Sequence, residues 1–181
     1  MAASNKDNAF VIRETTAADA AKLPAVERSA GQAFRSIPEL AWIADDTPQT
    51  VQRHLELMQS GVSWVAAVGE PGVVVGFLNG QLLDGYLHIW EMSVDREHQG
   101  RGIGKRLVQA AVGHATRRNL KGLTLTTFID IPWNDAFYKA RGFTILEPED
   151  LSQQLVSILN DEDRDGLPRK RRCAMKLELL P

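Results

Sequence analysis

A single cysteine, Cys173, stands in this chain of 181 residues, so no disulfide can form within it. The four histidines, His54, His88, His98 and His114, fall at no metal-ligand spacing and have no cysteines to join them, so no metal is expected. No apolar run is long enough to span a bilayer, and residues 1–8 are polar, without the apolar core of a signal peptide. Charge of one sign is lacking too: a formal net charge of -2 argues against a nucleic-acid-binding surface. There is no internal repeat and no low-complexity segment. The expectation is a cytoplasmic protein with neither membrane nor nucleic acid as partner. With 44% apolar and 24% charged residues, the composition is that of an ordinary globular protein. The length suits one domain, residues 1–181, with a flexible start at 1–8.

Periodicity and turn residues give the order of elements. A first strand is expected over Ala9–Glu14, then an alanine-rich helix from Thr16 to about Phe34, interrupted at Pro24. An irregular stretch, Arg35–Asp46, precedes a helix started by Thr47-Pro48 and ended by Gly61, with Val51, Leu55 and Met58 on one face. Three strands follow, Val62–Val68, Val73–Leu83 and Tyr86–Val94, joined by the short turns Glu70-Pro71-Gly72 and Asp84-Gly85. Short turns make these strands antiparallel neighbours.

The pattern then changes. A glycine-rich loop, His98–Gly104, opens a helix running to about Arg118, with Ile103, Leu107, Val108, Ala111 and Ala115 on its inner face. A strand over Gly122–Phe128, a short helix over Asn134–Ala140 and a strand over Gly142–Leu146 come next. A helix over Asp150–Leu159, a charged linker over Asn160–Lys170 and a closing strand, Arg172–Leu179, complete the chain. Asp161, Asp163 and Asp165 imitate the start of a calcium loop, but Arg172 stands where its closing glutamate belongs.

The segment Val94-Asp95-Arg96-Glu97-His98-Gln99-Gly100-Arg101-Gly102-Ile103-Gly104-Lys105-Arg106 takes a buried strand through glycines into a helix. Glycines let the backbone turn its N–H groups inward, and the helix start adds the positive end of a dipole. Together they form a nest for phosphate oxygens. A Walker loop is excluded because Arg106, not Ser or Thr, follows Lys105. A dinucleotide fingerprint is excluded because Gly100, Gly102 and Gly104 are evenly spaced by two.

Gln99-x-x-Gly102-x-Gly104, after Val94-Asp95 and before a basic amphipathic helix, resembles the acetyl-CoA signature of the GNAT superfamily of N-acetyltransferases. Downstream, Trp133-Asn134-Asp135-Ala136-Phe137-Tyr138-Lys139-Ala140-Arg141-Gly142-Phe143 is similar to that superfamily's second signature. The resemblance covers the chain from about Val11 to the last strand. It implies an α/β fold, a mixed and mostly antiparallel central sheet flanked by helices. Its fourth and fifth strands, here Tyr86–Val94 and Gly122–Phe128, would be splayed apart.

The resemblance also implies a ligand and roles. Acetyl-CoA, as co-substrate, would be held by Met92, Ser93 and Val94, by Gln99, Gly100, Arg101, Gly102, Ile103, Gly104 and Lys105, and by Asn134, Phe137 and Tyr138. Arg101, Lys105 and Arg106 would add charge for its phosphates. Asn134 would cap the short helix, and the Tyr138 hydroxyl would protonate the departing thiolate. An alkyl amine, with a pKa of about 10.4, must lose its proton to attack. Two residues on one strand are candidates for the base, Glu91 and His88, and in an ideal strand they face opposite ways. An oxyanion donor is expected from a backbone N–H near Met92. Glu39, Trp42 and Trp133, with Arg35, Asp45 and Asp46 nearby in sequence, are the candidates for the acceptor pocket, since acids and aromatics suit a cationic amine. The expected activity is transfer of acetyl to a primary amine of a small molecule by direct attack in a ternary complex. A protein lysine or N-terminal acetyltransferase and a non-catalytic acetyl-CoA sensor are the alternatives, and the resemblance leaves a homodimer open.

Overall fold

The computed structural model describes residues 9–179, and the expected flexible start at 1–8 lies outside them. The elements are β1 (Phe10–Glu14), α1 (Ala17–Ala20), α2 (Leu23–Gly31), α3 (Val51–Ser60), β2 (Val62–Val68), β3 (Val73–Leu83), β4 (Tyr86–Val94) and α4 (Ile103–Arg117). They continue with β5 (Gly122–Phe128), α5 (Asp135–Lys139), β6 (Thr144–Ile145), α6 (Gln153–Arg164) and β7 (Arg172–Glu178). Hydrogen-bonded strand order is β1-β2-β3-β4-β5-β7-β6, the mixed, mostly antiparallel sheet that the resemblance implies. None of the described helices is long and apolar enough to cross a membrane.

The chain forms two compact units. The first runs to Gly80 and takes in Glu91–Ala110; the second comprises Gln81–Trp90 and the chain from Ala111 onward. In the first, β1 pairs antiparallel with β2, and β2 with β3, with a register shift between Ala66 and Ala67. Leu23 and Val26 of α2 pack with Val65, Val74 and Phe77 to form its core.

Three expectations for the first unit are corrected. The helix at Thr16–Phe34 is interrupted as expected, because Pro24 lacks an N–H and takes the first turn of α2 rather than an interior position, but its α-helical part ends early, at Gly31. α1 starts where it does because Asp19, in its first turn, accepts from Thr16 N and from Arg13 Nη1 and Nη2. The third helix starts at Val51, capped by Thr50 accepting from Arg53 N at 3.1 Å, rather than at Thr47-Pro48. There the Thr47 and Gln49 N–H groups donate to Asp46 and Glu27 side chains, which holds the segment extended. Its buried residues are His54 and Leu57, not the expected row, and Val51 is exposed. The expected irregular stretch contains a 3₁₀ helix over Pro38–Asp45.

In the second unit the Asp84-Gly85 turn has positive φ at both residues, the signature of a tight hairpin. The parallel pairing of β4 with β5 covers only Tyr86↔Gly122 to Ile89↔Leu125, although both strands run on. β7 lies antiparallel to β5 along all seven of its residues and also carries the two-residue β6, which is shorter than expected. The five inner residues of α4 are all buried. That helix ends at Arg117, and the chain turns away at Asn119, in left-handed conformation, with Leu120 N donating to Ala115 O.

The expected linker after Leu159 is helix as far as Arg164. Glu162 is the reason: it accepts from Arg172 Nε at 3.0 Å and Nη2 at 2.7 Å, a paired fork that fixes the last turn. The aspartates of the calcium-like pattern thus sit on or beside this helix end.

Gly122 opens β5 with its Cα hydrogen against β7, and a Cβ there would overlap the Leu177 carbonyl oxygen. Backbone in a paired strand cannot yield as a side chain does. Gly122→Ala is therefore expected to destabilise the fold by about 3 kcal/mol, measured by urea denaturation.

Candidate active site

The first unit carries the glycine loop. β4 delivers the chain to Asp95, whose N–H donates to Val75 O at 2.8 Å. The Asp95 carboxylate then organises the turn. It accepts from Ser29 Oγ at 2.6 Å and Glu97 N at 3.2 Å, and lies 2.8 Å from His98 Nδ1. Ser29 Oγ in turn accepts from Arg96 N, and Gln99 Nε2 donates to Val94 O at 3.0 Å. Gln99, the first residue of the loop signature, is thus a brace for the strand end.

Gly100 and Gly102 have φ of +75° and +82°, and no protein atom lies within 4 Å of where a Cβ would stand on either. Their freedom is used for backbone direction, not for packing. The first helical bond of α4 is Arg106 N to Gly102 O, which leaves the N–H groups of residues 103–105 without partners inside the helix. Gly76 lets this helix start sit close: a Cβ there would lie 3.1 Å from Ile103 Cγ2 and 3.2 Å from Ser93 O. The arrangement fits the diphosphate of a coenzyme: unpaired amides, a helix dipole and the basic residues Arg101, Lys105 and Arg106 in one loop.

Glu91 is half-buried and accepts from Ser93 Oγ at 2.8 Å. Its charge acts on a residue the sequence reading missed. Glu27, on α2, is pushed up to about 8 by burial and then by the Glu91 carboxylate. Gln49 N donates to both of its oxygens, at 3.2 and 3.1 Å, and pulls the other way, while Asp46 adds to the rise. The one signal for it was position: Glu27 lies four residues after the buried Leu23 and next to the buried Val26.

The acceptor-side candidates are mixed. Glu39 and Trp42 are exposed, and Asp45 is paired through both oxygens to Arg35, so that acid is already neutralised.

The second unit holds the other candidates. Tyr138, on α5, is buried, with its ring edge-on to Phe137 and Phe143 at 5.1 and 5.4 Å. Arg141 lies over the Phe137 ring at 3.4 Å, and Lys139 pairs with the buried Asp135 at 2.8 Å. These contacts hold the short helix and so fix Tyr138. Asn134 stands at the cap position but its side chain makes no capping bond, against expectation; its carbonyl accepts the first helical bond, from Tyr138 N. Trp133 is 41% exposed.

His88 is fully buried on β4, 3.0 Å from Thr124 Oγ1 and edge-on to Trp90, and burial pushes it down to about 4. It is neutral at physiological pH and enclosed.

The chain matches the acetyltransferase (GNAT) family over residues 31–143, well over half its length, and belongs to that family of acetyl-CoA-dependent acetyltransferases. Ard1 from Thermoplasma volcanium shares the fold at 22% identity and a TM-score of 0.66, with 96% of this chain and 99% of that one covered. PaiA N-acetyltransferase from Thermoplasma acidophilum, in complex with coenzyme A, does so at 14% identity and a TM-score of 0.67, covering 94% and 99%. The ribosomal-protein-S18-alanine N-acetyltransferase from Escherichia coli is 15% identical, with a TM-score of 0.64 and 96% and 97% covered.

Glu27 has a consequence for stability. Its folded pKa is raised above the unfolded value, so its contribution is fully present below about 4.5 and is lost as pH rises through about 8. Glu27→Gln is expected to stabilise the protein at pH 8, by on the order of 2 kcal/mol, and to leave stability at pH 4 unchanged, measured by denaturant melts at both pH values.

Proposed function

We propose that this chain transfers an acetyl group from acetyl-CoA to a primary amine of a small cationic molecule, by direct attack in a ternary complex. The observation that carries this reading is the partly buried carboxyl pair, Glu27 and Glu91, in the unit that bears the glycine loop. A protonated amine is drawn by the Glu91 charge, and Glu27, in its ionised form, accepts its proton.

The roles follow from the chemistry. The amides of residues 100–105 and the basic residues Arg101, Lys105 and Arg106 bind the diphosphate. Glu27 takes the amine's proton, directly or through water, and the freed lone pair attacks the thioester carbon. Negative charge moves to the carbonyl oxygen, where the Met92 N–H is the assigned donor. The tetrahedral centre collapses, the C–S bond breaks, the thiolate takes a proton from the Tyr138 hydroxyl, and the extra proton still on the nitrogen is given up through water, which restores the phenol. His88 is left out, because an enclosed imidazole with a pKa near 4 is a poor base at neutral pH. Met92, Ser93 and Val94 are assigned to the pantetheine arm, with Asn134 and Phe137, and Trp42 and Trp133 to the acceptor.

Thiol release from acetyl-CoA, measured against small amines and lysine-bearing or N-terminal peptides, tests the reading. Small cationic amines should support release. Release with peptides alone would overturn it. Tyr138→Phe should lower kcat by about 10²-fold with little change in the Kd for acetyl-CoA, read by single-turnover kinetics and calorimetry.

The pH dependence separates the two carboxyls. With acceptors of differing amine pKa, the part of the rising limb that stays near pH 8 belongs to Glu27. Glu91→Gln removes the like charge that raises Glu27, so this midpoint should fall by about one pH unit. A limb that follows only the amine would leave Glu27 without a role as base.

A further inference from the structure

A chain of polar groups, buried at Ser63, Asn79 and His54, runs through the first unit from half-buried Thr15 to half-buried Glu27. Thr15 Oγ1 and Ser63 Oγ are 2.6 Å apart, and Ser63 Oγ donates to Asn79 Oδ1 at 2.6 Å. This commits the Asn79 amide, whose Nδ2 lies 3.0 Å from His54 Nδ1. An amide NH₂ only donates, so His54 Nδ1 accepts. Burial, and then the charge of Arg53, keep His54 below its usual pKa, so it is neutral near pH 7. A neutral imidazole that accepts at Nδ1 carries its proton on Nε2.

His54 and Asn79 are both fully buried. His54 Nε2 has no hydrogen-bond partner among the described residues, and Glu27 Oε2 lies 3.8 Å from it. The ring is also fixed from the side, edge-on to Phe77 at 5.2 Å. A buried N–H without an acceptor costs free energy that a small movement of the Glu27 carboxyl would recover.

We propose that His54 is a positioning residue for Glu27: with its tautomer fixed by Asn79, it presents Nε2–H to Glu27 Oε2 and steadies the carboxylate form. This deepens the reading above and rests on it for its catalytic consequence. Four kinds of group face Glu27. Glu91 from β4 and Asp46 from the segment before α3 oppose its ionisation; Gln49 N–H and, by this proposal, His54 Nε2–H favour it. When Glu27 ionises, the 3.8 Å approach closes into a charge-assisted hydrogen bond. The balance keeps a buried carboxyl usable as a base, where burial beside a second carboxylate would otherwise hold it protonated.

Two NMR measurements on the whole chain, without substrate, test this. In the wild type, ¹⁵N shifts of the His54 ring should report the Nε2–H tautomer. With ¹³C-labelled glutamate, the Glu27 midpoint should rise by about one pH unit in His54→Phe, a tenfold loss in ionisation. In His54→Gln, which keeps a donor, it should rise by less than half as much. An Nδ1–H tautomer in the wild type would overturn the proposal, and so would equal shifts, or none, in the two variants. If His54→Phe does not fold, the wild-type tautomer decides alone. Absence of thiol release with every amine would count against the proposed activity and leave these results intact.

Discussion

The parallel pairing of β4 with β5 is the constraint from which the candidate site follows. Antiparallel neighbours are joined by a tight turn, as β3 and β4 are by Asp84-Gly85, but a parallel pair needs a crossover. The chain leaving β4 must travel back before β5 can begin, and α4 makes that journey. A helix N-terminus therefore follows the carboxyl end of β4 within a few residues, which is where α/β proteins bind phosphorylated ligands. Everything distinctive about residues 95–104 serves that change of direction: the Asp95 brace, the Gln99 bond to Val94, two glycines at positive φ, and Gly76 making room for Ile103.

The carboxyl pair obeys a different constraint. Two carboxylates near each other in a partly buried place do not both ionise freely, so their proton affinities separate. Here Glu27 moves up to about 8, close to where an amine-handling base has both a vacant site for a proton and enough affinity to take one. The same arrangement is a cost to the fold, since a carboxyl that must ionise above pH 8 in the native protein does so near pH 4.5 when unfolded. On the proposed reading, stability is given up at the residue that serves as base, as is usual at functional sites.

How much of this was legible in the sequence depends on how local the cause is. Val62–Val68, Val73–Leu83, Tyr86–Val94 and Gly122–Phe128 have the bounds expected, because turn residues and strand-forming runs are written side by side. The inner face of α4 was equally plain from its 3.6-residue period. The errors lie where a distant partner decides. α6 outlasts its apolar period because Arg172 grips Glu162; α3 starts late because Glu27, on another helix, takes the Gln49 N–H. Glu27 itself is not legible locally, because the groups that alter it, Glu91, Asp46 and Gln49, lie at least nineteen positions away.

The buried row from Thr15 to His54 raises the question of why polar groups occupy core positions at all. Apolar side chains of the same shape would fill the space at no hydrogen-bonding cost, often with equal or greater stability. A satisfied network does one thing an apolar core cannot: it fixes the direction of each proton. Read from Ser63 onward, each donor leaves the next group one choice, until the choice made is the Nε2–H of His54 beside Glu27. A row that served packing alone would have no reason to end on an unpaired N–H 3.8 Å from a carboxyl whose charge state is already finely balanced. The direction of that proton is what ties the core of the first unit to the chemistry proposed at its surface.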